Sequence, residues 1–477
     1  MAKFKPYQKD QLHFLPSSLE EYVPEEHLAR LIYEVVEGID TSKIEKKYSK
    51  LGQNTYHPRI LLKLLFYGYS TGVRSGRKIA ALCESDTAFM YLSEMYRPDF
   101  RTINDFRKNN LKEIEECFVE IVRICKELGM IKIGRIYIDG SKLRANASAK
   151  RTKDKASYEK WLKKTEEEIR EILEEAEATD RKEDMKYGDK RGDELPEGIR
   201  RKEALKAKIE KVLTEFKKED KKINLTDSDS RFMKERKGVI TPSYNCQVSV
   251  TEEQVIVGAE VVVDGNDRKQ LVPMIEETEE VAEEDVEEVV ADSGYGSYDN
   301  YEYLSDKKKE GYIPDQYFEK DKNGEYIRSE MRYHKENFIY DKKNNKYICP
   351  EGKELRFYKD RDSDKGVMKR RQSIYKGTEC YYCGVKRECT KAEYRTIARE
   401  KREELRDEMR QRLKTEEGKE KYKKRLHIVE SIFGHLKYNL GYKRFLLRTL
   451  EKVRGEFKLM CIGYNLKKIF RYKMATG

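Results

Sequence analysis

The sequence predicts an α/β fold: a mixed sheet with flanking helices, preceded by an all-helical amino-terminal region. Three observations carry this. Apolar residues recur at three- and four-residue steps through 24–128, the period of helices that bury one face. From residue 131 the period changes to short β-branched runs, the pattern of buried strands. A helix start then falls between two of those runs, so strands and helices alternate.

In the amino-terminal region, HLARLIYEVVEGI, HPRILLKLLFYGYSTG, GRKIAALCES and LKEIEECFVEIVRICKELG each carry an apolar stripe, with short breaks at Gly72 and Gly76. Together they read as a compact bundle. The segment RTINDFRKNNL, 101–111, offers Thr102 or Asn104 as a helix cap and carries three basic residues. It reads as an ordinary packed helix, with the recognition helix of a helix-turn-helix unit as the less common outcome.

IKIGRIYIDG, 131–140, reads as a buried strand stopping at an Asp-Gly turn. SYNCQVSV, 243–250, and QVIVGAEVVVDG, 254–265, read as a hairpin over Thr251–Glu253. GNDRKQLVPMIEETEEVAEE starts a helix, with Asp267 and Gln270 spaced as a capping box. VEEVVADSGYGS, 286–297, is a strand ending in an acid and a glycine-rich turn.

Two insertions interrupt this domain. In 151–222, Leu205, Ile209, Val212 and Phe216 form one stripe and Leu162, Ile169 and Ile172 a thinner one, as expected of a helical hairpin. The second, 301–415, is polar and Tyr-rich and holds four of the nine cysteines. The expected organisation is a helical domain over 1–128, an α/β domain over 129–150, 223–300 and 416–477, a hairpin over 151–222 and a Cys-containing domain over 301–415. The segment 421–470 is expected to be helical, burying Val429, Ile432, Phe433, Leu436 and Leu440.

The chain has 477 residues, 40% charged and 38% hydrophobic, with a formal net charge of +11. No run of about 18 apolar residues occurs, which argues against a membrane protein. The opening MAKFKPYQKDQLHFLP has no apolar signal core, so a cytoplasmic location is expected. In that reducing compartment the cysteines are expected to be free thiols or metal ligands. Residues 421–477 hold 15 Lys+Arg and 3 Glu, or +12, so the remaining chain sums to about -1. A basic segment interleaved with Tyr and Phe fits a binder of phosphate backbones or, equally, a solvated basic helix.

Two predicted strands end in Asp, at Asp139 and Asp292. In a parallel portion of a sheet both carboxylates emerge at the carboxyl edge, where open α/β sheets hold their ligands. In YKKRLHIVESIFGHLKYNL, Glu430 and Lys437 stand seven residues apart, about 20° of α-helical rotation, with Gly434 between them leaving room for an approach. Three converging carboxylates suit Mg²⁺ or Mn²⁺, and two such ions about 4 Å apart promote phosphodiester cleavage. Each acid alone has a plainer reading as a turn device or a solvated helix residue.

IYIDGSKLRANAS, SRFMKERKGVITPSYNCQVSV, VVADSGYGS and RLHIVESIFGHLKYNLGYKRFLLR, in this order, resemble bacterial insertion-sequence transposases of the DDE class. The resemblance implies a ribonuclease H-like mixed sheet and matches the family's acids to Asp139, Asp292 and Glu430, which would hold two Mg²⁺ or Mn²⁺ ions. Tyr422, Arg425, Glu430 and Lys437 look like the family's Tyr, Arg, Glu, Lys signature, but four residues separate Arg425 from Glu430 where three are commonest. The family implies cleavage of element ends to a 3′-OH and its transfer into target DNA. It further implies double-stranded DNA as partner, a homodimer on that DNA, no membrane, and action at the bacterial nucleoid.

Cys349, Cys380, Cys383 and Cys389 have the composition of a structural Zn²⁺ site, with reduced or redox-sensitive thiols the alternative. Cys83, Cys117, Cys125, Cys246 and Cys461 sit in apolar runs and read as core. Arg231 and Lys234, with Arg236 and Lys237, precede a strand as phosphate contacts or a solvated run. His427 reads as a helix-surface residue that could instead line the site. A transposase is the first reading; a DNA-binding protein without catalysis, acting as a repressor of element ends, and a nuclease without strand transfer are the others.

Overall fold

The computed structural model describes residues 18–48, 55–187, 197–217, 222–235, 238–318, 332–363 and 370–476. In chain order its strands are β1 (Arg135–Arg144), β2 (Thr152–Lys153), β3 (Ile223–Asn224), β4 (Arg231–Lys234), β5 (Ile240–Thr251), β6 (Ile256–Val262), β7 (Glu288–Ala291), β8 (Glu310–Tyr312), β9 (Ile339–Asp341), β10 (Lys346–Ile348), β11 (Glu354–Ser363), β12 (Arg370–Gly377) and β13 (Thr396–Glu400). Backbone contacts sort the chain into two compact units. One is Met1–Met130, Arg144–Ser230 and His435–Gly477; the other is Ile131–Leu143 and Arg231–Gly434.

The first unit is helical. Helix Pro58–Thr71 begins on a proline, whose missing N–H costs nothing in a first turn, and ends on Gly72 at φ +85°. The long helix Leu450–Thr476 packs against it and against Leu111–Glu127. Gly463 permits this contact, since a Cβ there would lie 2.7 Å from the Tyr69 backbone. Glu456 is fully buried on the same helix. Its carboxylate accepts from the Leu446 and Leu447 backbone N–H groups and pairs with Arg74 at 3.2 Å.

Helix Phe100–Asn109 is capped by Asp99, which accepts from Arg101 N at 2.7 Å and Thr102 N at 3.3 Å, and not by Thr102 or Asn104. Its Arg107 is buried and donates to the Tyr69 hydroxyl at 2.9 Å. One of the three basic residues is thus spent inside the bundle, as in an ordinary packed helix. The expected helix over 421–470 is interrupted: it stops near Asn439 and resumes at Leu450. Gly441 and Thr449 adopt positive φ in the break, and Leu440 is only half-buried. Helices Lys155–Tyr187 and Glu197–Glu215 pack together around Tyr158, Ile209 and Val212, with Leu162, Leu205 and Phe216 against them.

The second unit is built on a mixed sheet in the order β4-β5-β1-β7-β8, with β6 also on β5. β5 pairs antiparallel with β4 through its first residues and with β6 through its later ones, so the predicted hairpin over Thr251–Glu253 is present. β1 and β7 are parallel, as are β7 and β8. Ile136, Tyr137, Ile138, Val289, Val290 and Ala291 are all buried, the near-continuous apolar run of parallel strands. At the amino ends of β1 and β7, Arg135 pairs with Glu288 across the ladder, and Lys421 binds the same carboxylate at 3.0 Å. Burial alone would raise the Glu288 carboxyl, but these hydrogen bonds outweigh it and hold it below its ordinary value. A separate antiparallel sheet, β13-β12-β11-β10-β9, has its own small core of Phe338, Tyr347, Leu355, Tyr375 and Ile397.

Two stability outcomes follow from these contacts. Gly463→Ala forces a methyl onto rigid backbone and should destabilise the protein by about 1–3 kcal/mol in thermal or urea unfolding; an unchanged midpoint would mean the helices are not in close contact there. Because the folded pKa of Glu288 is depressed, its stabilisation is complete above 4.5 and is lost as pH falls through the lower folded value. Glu288→Gln should therefore cost about 1–2 kcal/mol at neutral pH, with the gap to wild type closing as pH falls below 4.5 and through the lower folded value. A gap that stays constant into acid would contradict the ion-pair assignment.

Candidate active site

The register of β1 on β7 sets Ile138 opposite Ala291, so the next residue of each strand, Asp139 and Asp292, emerges side by side at the carboxyl edge. β1 does not stop at Asp139-Gly140 as expected; it runs on to Arg144. The glycine answers a close approach instead, because a Cβ at Gly140 would lie 2.8 Å from Asp267 Oδ1 and closer still to Gln247 Nε2. Asp292 turns the chain sharply, its Oδ1 accepting from Gly294 N at 2.8 Å as β7 gives way to a 3₁₀ turn over Ser293–Tyr295.

Glu430 reaches the same place through an irregular helix. Helix Glu416–Arg425 passes into a π turn over Leu426–Glu430, then one α-helical turn over Ser431–Gly434. In an α-helix, residues four apart share a face; the wider π turn brings residues five apart together. Arg425 Nη2 accordingly donates to Glu430 Oε1 at 3.0 Å, while Nη1 stands 3.8 Å from Asp139 Oδ1. The additional residue between Arg425 and Glu430 is absorbed by the π turn, and the pair is kept. The Arg425 guanidinium also lies 5.7 Å from the Tyr422 ring centre, within cation–π range.

A fourth carboxylate belongs to the cluster. Asp267 Oδ1 accepts from Asn245 Nδ2 at 2.6 Å and Gln247 Nε2 at 2.8 Å, and Lys142 Nζ lies 3.2 Å from Oδ2. The Tyr295 hydroxyl donates to Gln247 Oε1. The capping-box expectation is corrected here: helix Leu271–Ala282 has Gln270 at its N-cap with no side-chain cap, and Asp267 follows Asn266, which caps a separate 3₁₀ turn. Its carboxylate is drawn off by three donors from β1 and β5. The sequence signal that could have found it is the alternation of Asn245 and Gln247 along β5, two amides on one face of a buried strand.

Burial and the neighbouring Asp292 push the Asp139 carboxyl up to about 7, against the pull of Arg425 and the Gly140 N–H. Asp292 is raised as well, chiefly by burial, with Arg425 opposing. Arg425 is held in its charged form by the same acids. Among the described residues its Nε and Nη1 are buried donors without hydrogen-bond partners, a fit for an anionic oxygen. The carboxylates are hard oxygen donors suited to Mg²⁺ or Mn²⁺. Among the described residues no three His, Cys, Asp or Glu side chains are placed to hold an ion as they stand, and Arg425 supplies the positive charge between Asp139 and Glu430.

Other expected residues fall elsewhere. Lys437 lies on a second π turn, His435–Asn439, in the helical unit. Arg231 is half-buried and Lys234 exposed on β4; Arg236 and Lys237 lie outside the described residues. His427 is an exposed helix residue whose carbonyl accepts from Gln254 Nε2. A Cβ at Gly434 would meet nothing within 4 Å, so no close approach demands that glycine. Cys83, Cys117, Cys125, Cys246 and Cys461 are buried and form no disulfide, as read from their apolar runs.

Two family models match the chain: "Transposase DDE domain" over residues 348–470 and "Transposase domain (DUF772)" over residues 17–109. The first covers Glu430 and all four cysteines of the second sheet; the second covers most of the amino-terminal bundle. No curated protein and no solved structure matches the chain.

Because the π turn only absorbs one residue, deleting exposed Leu426 should close it into α-helix and leave the Arg425 pair intact at four-residue spacing. The variant should melt within about 5 °C of wild type. Loss of folding would show that the wide turn is required for itself.

Proposed function

From two transposase matches that support an insertion-sequence DDE transposase, we propose that this chain is a DNA transposase with a ribonuclease H-like catalytic domain. It cuts element ends to expose a 3′-OH and joins that 3′-OH to target DNA at a site formed by Asp139, Asp292 and Glu430. One observation supports the reading: a parallel strand pair sets Asp139 beside Asp292, and an irregular helix far along the chain brings Arg425 to both Asp139 and Glu430.

Asp139, Asp292 and Glu430 would hold Mg²⁺ or Mn²⁺, two ions in the full site. When bound, such ions lower the pKa of an attacking oxygen and stabilise the leaving one. The chain's own groups do the rest. Arg425, buried with two donors to spare, grips a phosphate oxygen beside the carboxylates. Asn245, Gln247 and Lys142 hold Asp267, and Tyr295 holds Gln247, so this wall of the site keeps its shape as charge builds in the transition state. Tyr422, Lys437, Arg231 and Lys234 contact DNA backbone, with the basic carboxyl-terminal segment supplying further charge. Two ends must be held at once, which calls for a homodimer on double-stranded DNA. No described helix is long and apolar enough to cross a membrane; the action proposed is on chromosomal DNA in the cytoplasm.

The test uses DNA carrying the element ends with Mg²⁺ or Mn²⁺. Asp139→Asn, Asp292→Asn and Glu430→Gln should each lower cleavage by at least about 10³-fold while end binding persists. Full cleavage by any one variant removes that acid from the site. Binding without cleavage by the wild type would favour the repressor reading, and cleavage without a joined product the nuclease reading.

A further inference from the structure

We propose that Cys349, Cys380, Cys383 and Cys389 hold one structural Zn²⁺ that staples the antiparallel sheet β9–β13. The four thiols arrive from three places: Cys349 follows β10, Cys380 and Cys383 follow β12, and Cys389 precedes β13. All four line one cavity of about 30 Å³, closed on its apolar side by Phe338, Leu355 and Val385. All are half-buried and in no disulfide.

The backbone around them is built to present sulfur. Lys353 N donates to Cys349 Sγ at 3.3 Å and Arg395 N to Cys380 Sγ at 3.4 Å, the outer-shell hydrogen bonds that orient metal-bound thiolates. Cys349 opens a tight turn in which Gly352 N donates to its carbonyl at 2.8 Å, and Gly352 takes φ +74°. Cys383 N closes a matching turn on the Cys380 carbonyl at 3.3 Å. Gly377 has no side chain where the Cys380 sulfur packs. Four soft sulfur donors select Zn²⁺ over the hard cations that suit the carboxylate site.

The sheet also has reason to need a staple. Among the described residues its separate core numbers five buried side chains, Phe338, Tyr347, Leu355, Tyr375 and Ile397, with Cys349 and Cys389 packed on them. Cores of this size are commonly supplemented by a metal or disulfides. As placed, no three of the thiols form a ligand set, so the shell closes by rotation of the side chains inside the cavity. Each thiol gives its proton to water as its bond to zinc forms, and binding energy becomes folding energy.

The test needs no transposition. Full-length protein purified under reducing conditions without chelator should carry about one zinc per chain by elemental analysis. A strong chelator should render 338–400 sensitive to trypsin, and added Zn²⁺ should restore resistance. Cys380→Ser/Cys383→Ser should lose the metal and gain the sensitivity, whereas Cys83→Ser should keep both as wild type. Below about 0.2 zinc per chain in protein grown with ample zinc, disulfides among the four, or a protease pattern indifferent to chelator would each overturn the proposal. Because it reads metal content and local folding, its failure leaves the catalytic assignment untouched, and the converse holds.

Discussion

The candidate site depends on the ion contacts of one buried guanidinium. Asp139 and Asp292 stand just past the last paired residues of two neighbouring parallel strands and are both raised by burial; side by side and without a counter-charge they could not both ionise in so dry a place. Arg425 meets Asp139 from one nitrogen and Glu430 from another. Its own burial is tolerable because acids surround it. Charge balance in the cluster is therefore mutual.

Around that pair the fold acts as a rigid frame. At the amino ends of β1 and β7, Arg135, Glu288 and Lys421 form a satisfied ion cluster, while at the carboxyl ends the acids are left in excess. The same two strands are thus bound by complementary charge at one end and hold like charge apart at the other. The parallel ladder between them is buried and apolar. The acids stand where the parallel ladder ends, at the carboxyl edge where open α/β sheets hold their ligands.

Much of this was legible from residue pattern. β-branched runs closing on Asp139 and Asp292 marked two buried strands, and their side-by-side placement needed only a parallel pairing. What the pattern concealed has specific causes. Asp267 stood three residues before Gln270, a spacing that mimics a cap, and only the three-dimensional approach of Asn245, Gln247 and Lys142 reveals its other employment. The π turn at Leu426–Glu430 cannot be read from a 3.6-residue period; its trace was the extra residue between Arg425 and Glu430. Asp139-Gly140 looked like a turn because Asp-Gly usually is one, whereas here the glycine lets Asp267 and Gln247 close on the strand. The break over 440–449 escaped because apolar residues continue through it.

Hard oxygen donors at the sheet edge and soft sulfur donors in the small sheet divide the proposed metal chemistry of this chain between catalysis and folding. The acidic assignment is tested most directly by a crystal structure of the protein with an element-end DNA and Mn²⁺, phased to locate manganese by its anomalous scattering. The account predicts manganese bound by Asp139, Asp292 and Glu430, with Arg425 turned from the acids toward a phosphate oxygen. Manganese held elsewhere, or Glu430 still paired to Arg425 with no metal beside Asp139, would contradict it.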